Sequence, residues 1–212
     1  MQLYFSPLSC SAATRICFYE AGTEATYIEV DSKTKRTLDG SNYLEVHPLG
    51  LVPALRTDEG DVLTENAAIL QYLAGALPQA DLAPADSRGR MRLQQWLSFI
   101  GTELHKATFS PLLDASSTEG ARSYALEKGT GRLAYLEKHL TGREFLMERF
   151  SVADAYLATV LGWSVAIPID LKKWPALSAY FARMLERPSV AKAFSEERKL
   201  YMAQLEKRQP RP

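Results

Sequence analysis

Cys10 stands in Ser9–Cys10–Ser11, behind Gln2–Leu3–Tyr4–Phe5 and ahead of the apolar-periodic run Ala12–Ala21. These residue types predict a short strand, a polar turn containing Pro7, and a helix that Gly22 stops. Cys10 then lies at or just before the first helical turn. Unpaired backbone N–H groups and the positive end of the helix dipole favour a thiolate over a thiol there. A cysteine so placed can act as a nucleophile or as an electrostatic partner for another thiolate; the plain alternative is a small buried residue closing a loop. Cys17, flanked by Ile16 and Phe18, reads as core. About two helical turns, roughly 10 Å, separate the two sulfurs, which is too far for a disulfide. Ala13 occupies the position of a resolving cysteine, so dithiol chemistry of the C-x-x-C kind is disfavoured. A second group of polar residues, Ser98, Thr102 and His105, falls on one stripe of a later helix. A histidine there serves either structure or chemistry.

The elements that position these residues follow in order. Thr26–Val30 is an alternating, β-branched strand, and its link to the first strand through a helix predicts parallel pairing. Asp31–Gly40, with Lys33, Lys35 and Arg36, reads as a solvated loop, and Tyr43–Val46 as one helical turn ended by His47–Pro48. Leu51–Leu55 enters a strand with Pro53 at its edge, Asp58–Glu59–Gly60 turns, and Asp61–Leu63 returns as a hairpin. Thr64–Glu65–Asn66 introduces a helix from about Ala67 to Ala76, which Leu77–Pro78 ends. The order β-α-β, β-β-α predicts a four-stranded mixed sheet with helices.

From Gln79 to Ser87 the composition turns to Ala, Pro and Asp, and everything beyond reads helical. Leu93, Leu97, Ile100 and Leu104 form the core stripe of a helix from about Gly89 to Phe109, closed or kinked at Ser110–Pro111. A helix from about Ser117 to Leu140 carries Gly129 and Gly131, for which the sequence offers no reason. Ser151 and Asp154 form a capping-box variant at the head of an apolar helix reaching Trp163. Trp174–Pro175 starts a helix through Leu185, Arg187–Pro188 stops it, and Ser189 is expected to cap the last one; Glu196–Pro212 reads as a polar, frayed tail. The domain expectation is therefore an α/β domain over residues 1–80, a linker over 81–86 and an all-helical domain over 87–205.

The chain has 212 residues, 46% hydrophobic and 24% charged, with a formal net charge of zero, which gives no electrostatic case for nucleic acid or an anionic membrane. No apolar run approaches a membrane span, no signal-peptide pattern is present, and a cytoplasmic location is expected. No metal centre is expected.

Five stretches together resemble the glutathione transferases, specifically the bacterial beta class, to about residue 200. They are Ser9–Cys10–Ser11, His47–Leu55 (HPLGLVPAL), Leu63–Ile69 (LTENAAI), Glu103–Leu104–His105–Lys106 and Phe150–Tyr156 (FSVADAY). The resemblance implies a thioredoxin-like N-terminal domain, an all-helical C-terminal domain and a homodimer with glutathione in the cleft between domains. Val52–Pro53 matches the family's cis-proline turn, whose backbone pairs with the cysteinyl part of glutathione. Glu65–Asn66 matches the pair at a helix start that holds the γ-glutamyl ammonium and carboxylate; as a plain alternative, Asn66 can cap the helix. Lys35 matches a basic position for the glycyl carboxylate. Ser98 stands where the beta class has asparagine, and Thr102 shares its stripe. Glu103 matches an acid that reaches the ammonium from the partner subunit, and His105 a residue close to the sulfur.

The chemistry so implied is conjugation of glutathione to small hydrophobic electrophiles, with Cys10 and His105 as catalytic residues and Tyr4 and Ser6 as the competing hydroxyls. Cys10 can also form a mixed disulfide that a second glutathione reduces, a monothiol exchange. Phe109, Leu112, Leu113 and Trp163 are the candidates for the electrophile pocket. A glutathione-dependent dehalogenase or isomerase, or a non-catalytic adaptor of this fold, are the alternatives on the same scaffold.

Overall fold

The computed structural model describes residues 1–208. Five strands form one sheet: β1 (Gln2–Phe5), β2 (Thr26–Asp31), β3 (Arg36–Thr37), β4 (Ala54–Arg56) and β5 (Val62–Leu63), in the order β3-β2-β1-β4-β5. As the crossover rule predicts, β1 runs parallel to β2, with Leu3 opposite Tyr27, and antiparallel to β4, with Leu3 opposite Leu55. The fifth strand corrects the four-strand expectation. Val30 faces Thr37 and Asp31 faces Arg36, so part of the basic loop pairs with the free edge of β2. Two residues are too short to show a period in the sequence.

Alternation along β1 decides what each face carries. Tyr4 joins Val30, Tyr43 and Ala54 in a buried cluster ringed by Ile28, Val46, Val52 and Val62. Phe5 instead meets Tyr27 edge-on, with the Arg15 guanidinium over both rings. Helix α1 (Ala12–Glu20) buries its length from Ala12 to Phe18 and packs on α2 (Asn66–Ala76) and on α8 (Pro188–Arg208).

That last packing changes the domain boundary. Contacts group α8 with residues Met1–Ala80, while Asp81–Arg187 form the second unit, so the helical unit begins within the expected linker and ends before the expected 205. The physical reason is Glu197. It is fully buried, accepts from Arg15 Nε at 3.0 Å and receives the Leu8 N–H at 2.7 Å. The stretch from Glu196 read as a frayed tail is thus helical to Arg208; residues 209–212 lie outside the described residues. Ser189 does not cap α8, because it lies inside the helix, one residue after Pro188, and its hydroxyl donates to Glu20.

In the second unit, α3 (Ser87–Phe99), capped by Asp86, runs into a π-helical segment, Ile100–Phe109, and then α4 (Ser110–Leu113). The chain therefore does not stop at Ser110–Pro111. Pro111 sits in the first turn of α4, where no N–H is needed. Helix α5 (Glu119–Leu140) packs against the π segment, and Gly129 is what permits it: a Cβ there would meet Thr108 Cγ2 at 2.5 Å. Gly131 faces open space, and nothing in the structure explains it. Helix α6 (Val152–Gly162) starts with the expected capping box, and buried Asp154 also accepts from Leu146 N–H and Tyr180 O–H, both at 2.9 Å. Helix α7 (Pro175–Glu186) closes this unit, its first N–H groups bonded to Glu137.

Candidate active site

In the first unit, Cys10 lies in the turn ahead of α1, with Ser11 at the N-cap position. It is 8% exposed, and its thiol donates to the Val52 carbonyl at 3.3 Å. Ala13 N–H bonds back to the Cys10 carbonyl as the first turn forms. The loop it meets is pinned at three successive carbonyls. Lys35 Nζ donates to Gly50 O at 2.9 Å, Tyr43 O–H to Leu51 O at 2.7 Å, and Cys10 to Val52 O. The Val52–Pro53 bond is cis, as the resemblance implies, and Pro53 is buried at the foot of β4. Lys35, expected at a carboxylate, is thus a loop fastener in this structure, on a backbone of φ 55°.

Glu65 occupies the N-cap position of α2 with φ 64°, uncommon for a residue other than glycine and a mark of sites that a fold over-determines. It is exposed, and its carbonyl takes the N–H groups of Ala68 and Ile69. Asn66 does not cap the helix. Its Oδ1 accepts from Thr14 at 3.4 Å, while its buried Nδ2 has no hydrogen-bond partner among the described residues. An exposed carboxylate beside an unused amide donor at a helix N-terminus suits a ligand carrying both charges.

The competing hydroxyls, those of Tyr4 and Ser6, are both on buried side chains. Tyr4 packs on Tyr43 in the core, ring centroids 5.5 Å apart. Ser11 Oγ is shared between Ser9 Oγ at 2.7 Å and the Ser6 carbonyl. Cys17 is buried, and burial drives its thiol pKa far up, with Glu20 adding to the effect, so it is inert. Neither cysteine is in a disulfide.

The second unit carries the rest of the expected residues. Ser98 and Thr102 are exposed, and Thr102 Oγ1 donates to the Ser98 carbonyl at 2.9 Å. Glu103 is held within its own chain by Arg132, whose Nε and Nη2 both bond to Oε2, the first at 2.8 Å. His105 is buried in the π segment, where desolvation, with the nearby Lys106 charge, pushes its pKa down to about 4. Its Nδ1 lies 2.7 Å from the Tyr156 hydroxyl, and its ring meets Trp163 at 4.9 Å. Phe109 has no exposed surface and Leu112 very little, so neither lines an open pocket; they pack as core, with Phe109 against Trp163. Leu113 is exposed and Trp163 half-buried, which leaves these two available to an apolar ligand. No cluster able to hold a metal ion occurs among the described residues.

Residues 9–76 match the family model described as the glutathione S-transferase N-terminal domain, and residues 100–188 match that of its C-terminal domain. The chain belongs to the glutathione S-transferase family. It is 39% identical over 199 residues to the glutathione S-transferase GstA of Escherichia coli O157:H7, covering 93% of this chain and 98% of that protein. A sphingomonad glutathione S-transferase solved in complex with glutathione shares 43% identity and a TM-score of 0.88, over 93% of this chain and 98% of the other. The bacterial beta class glutathione S-transferase of Sphingomonas chungbukensis gives 42% identity, the same TM-score and the same coverage. As a glutathione S-transferase, then, the protein has both sets of expected polar residues on its own two units. Tyr43, Thr14, Arg132 and Tyr156 support them and were not foreseen. Of the four, only Tyr156 carries a sequence signal, as a polar-tipped side chain inside the apolar run of α6.

Proposed function

We propose that the protein is a glutathione transferase that conjugates reduced glutathione to small hydrophobic electrophiles and works as a homodimer. The observation that carries the reading is the pairing of Cys10 with the Val52 carbonyl while Glu65 and the unused Asn66 amide stand at the start of α2. The peptide backbone of glutathione would pair along Val52 as an added strand does, and its γ-glutamyl end would meet Glu65 and Asn66. Its sulfur would lie by Cys10 and the N-terminus of α1, and the family resemblance gives His105 as a donor to it. A free thiol near pKa 9 is mostly protonated at neutral pH, so the site must favour the thiolate. The thiolate then attacks the electrophile carbon, the new C–S bond forms as the leaving group departs with its electron pair, and the thiol proton passes to solvent. Leu113 and Trp163 would meet the electrophile, and Glu103 would reach the ammonium bound by the partner subunit.

Thiol–disulfide exchange through Cys10 is the second reading. The thiolate of Cys10 attacks the glutathionyl sulfur of a mixed disulfide, the other thiol leaves as its thiolate, and a second glutathione attacks the Cys10–glutathione disulfide, releasing glutathione disulfide and restoring the Cys10 thiolate. Neither cysteine is in a disulfide and Cys17 is buried, which supports a monothiol course. The test of the main reading is calorimetric titration with glutathione. Glu65→Ala should weaken binding by about 1.5–3 kcal/mol, the worth of a hydrogen bond to a charged group. Unchanged affinity in a folded variant removes Glu65 from the site.

A further inference from the structure

We propose that Tyr156 is a positioning residue: its hydroxyl donates to Nδ1 of His105 and holds the imidazole as the Nε2–H tautomer, which offers an N–H donor to the sulfur of the substrate. The last clause rests on His105 meeting the glutathione sulfur, as read above; the tautomer itself does not.

The two side chains are both buried, on different elements, with Nδ1 and the hydroxyl oxygen 2.7 Å apart and their rings perpendicular. An imidazole nitrogen is a better acceptor than a phenol oxygen, and a phenol a better donor than a neutral imidazole. The hydrogen bond therefore runs from Tyr156 to His105. Burial keeps the ring neutral at neutral pH, so it has one proton to place. The nitrogen that receives a hydrogen bond cannot carry that proton, which leaves it on Nε2.

The ring also cannot exchange its two nitrogens cheaply. Trp163 packs on it at 4.9 Å, so a flip would have to move that ring and break the bond to Tyr156. Tyr156 is itself firmly placed, about one turn into α6, behind the capping box and the Asp154 bonds to Leu146 and Tyr180. Gly129 and Thr108 hold the π segment from the other side.

The tautomer decides the chemistry. An Nε2–H group stabilises a thiolate by donating to it and lowers the thiol pKa. The opposite tautomer would present a lone pair, which repels a thiolate and acts instead as a base that takes the thiol proton. In the arrangement inferred here, His105 neither gains nor loses a proton, and the thiol proton leaves to water.

The test uses the full chain labelled with ¹⁵N-histidine. The protein has three histidines, and His105→Asn identifies the signal by its loss. The wild type should show a protonated Nε2 and an unprotonated Nδ1 across about pH 6–8, the range in which an unburied imidazole would be titrating. Tyr156→Phe should give a tautomer mixture and move the acid limb of the kcat/KM profile for glutathione, with an activated aryl halide, up by about one pH unit, about tenfold at a fixed pH below the limb. A protonated Nδ1 in the wild type overturns the inference. So does a Tyr156→Phe variant in which neither the tautomer nor the limb moves, even if its melting temperature falls. A limb that stays put in His105→Asn overturns the role at the sulfur, while the wild-type spectrum still decides the tautomer.

Discussion

At Cys10 the fold brings a thiol to the start of a helix and against a backbone carbonyl, and these pull in opposite directions. The helix terminus favours the thiolate, whereas the Val52 carbonyl accepts from the thiol. A ligand that takes over the Val52 backbone would release the thiol to the helix. Two activities should therefore respond differently to Cys10→Ala. Disulfide exchange should vanish, because Cys17 is buried and cannot substitute; conjugation, in which glutathione supplies the attacking sulfur, should fall by about tenfold or less, the scale of a one-unit pKa change. Rates of both reactions on Cys10→Ala and Cys17→Ala check this, and exchange that survives in the first but fails in the second contradicts it. His105 adds a prediction for stability. Its folded pKa of about 4 lies below the unfolded value, so the unfolded chain takes up this proton first as pH falls. The stability it confers is complete above about pH 6.5 and is lost on the way down to about pH 4, amounting to about 2–4 kcal/mol. Urea unfolding across that range should show a slope that His105→Asn flattens; an unchanged slope would mean that the ring is not held neutral.

The elements show where sequence patterns read well and where they do not. The β1–turn–α1 order, the hairpin, the start of α2 and the Ser151–Asp154 box were legible because each is local: periodicity, a turn residue or a cap specifies it. The π segment was not. Ile100 to Phe109 keeps an ordinary apolar stripe, and its wider turn comes from packing with α5 through the Gly129–Thr108 contact, about twenty residues apart in sequence. Glu197 was missed for a similar reason: a glutamate among charged residues looks solvated until α8 meets α1. Lys35 and the β3 pairing likewise depend on partners that lie far along the chain. Gly129→Ala should cost about 1–3 kcal/mol through the forced contact with Thr108, whereas Gly131→Ala should stabilise α5 by up to about 1 kcal/mol. Thermal melts of the pair, with Thr108→Ser to relieve the first, test the assignment; equal effects at the two glycines would contradict it. Glu197→Ala should be far more damaging, about 3–5 kcal/mol, because it takes the buried carboxylate from the Arg15 guanidinium and leaves it only the exposed Glu196 at 3.5 Å. A urea midpoint within error of the wild type would show that this pair does not hold α8.

For the whole molecule, the proposal is a glutathione-binding homodimer in which Glu103 serves the neighbouring subunit. Arg132 takes only Oε2 of Glu103, which leaves the other carboxylate oxygen for an ammonium. Sedimentation at micromolar protein should give a dimer of the 23.6 kDa chain. A monomer with full glutathione affinity would remove Glu103 from the site. The most direct measurement of the central claim is the initial rate of thioether formation from glutathione and an activated aryl halide, followed together with the heat of glutathione binding. The rate should saturate in glutathione, a binding heat should appear at the same concentrations, and the Glu65→Ala variant should show its deficit in KM for glutathione. A rate no greater than the uncatalysed one, with no binding heat from the folded wild-type protein, would contradict that claim.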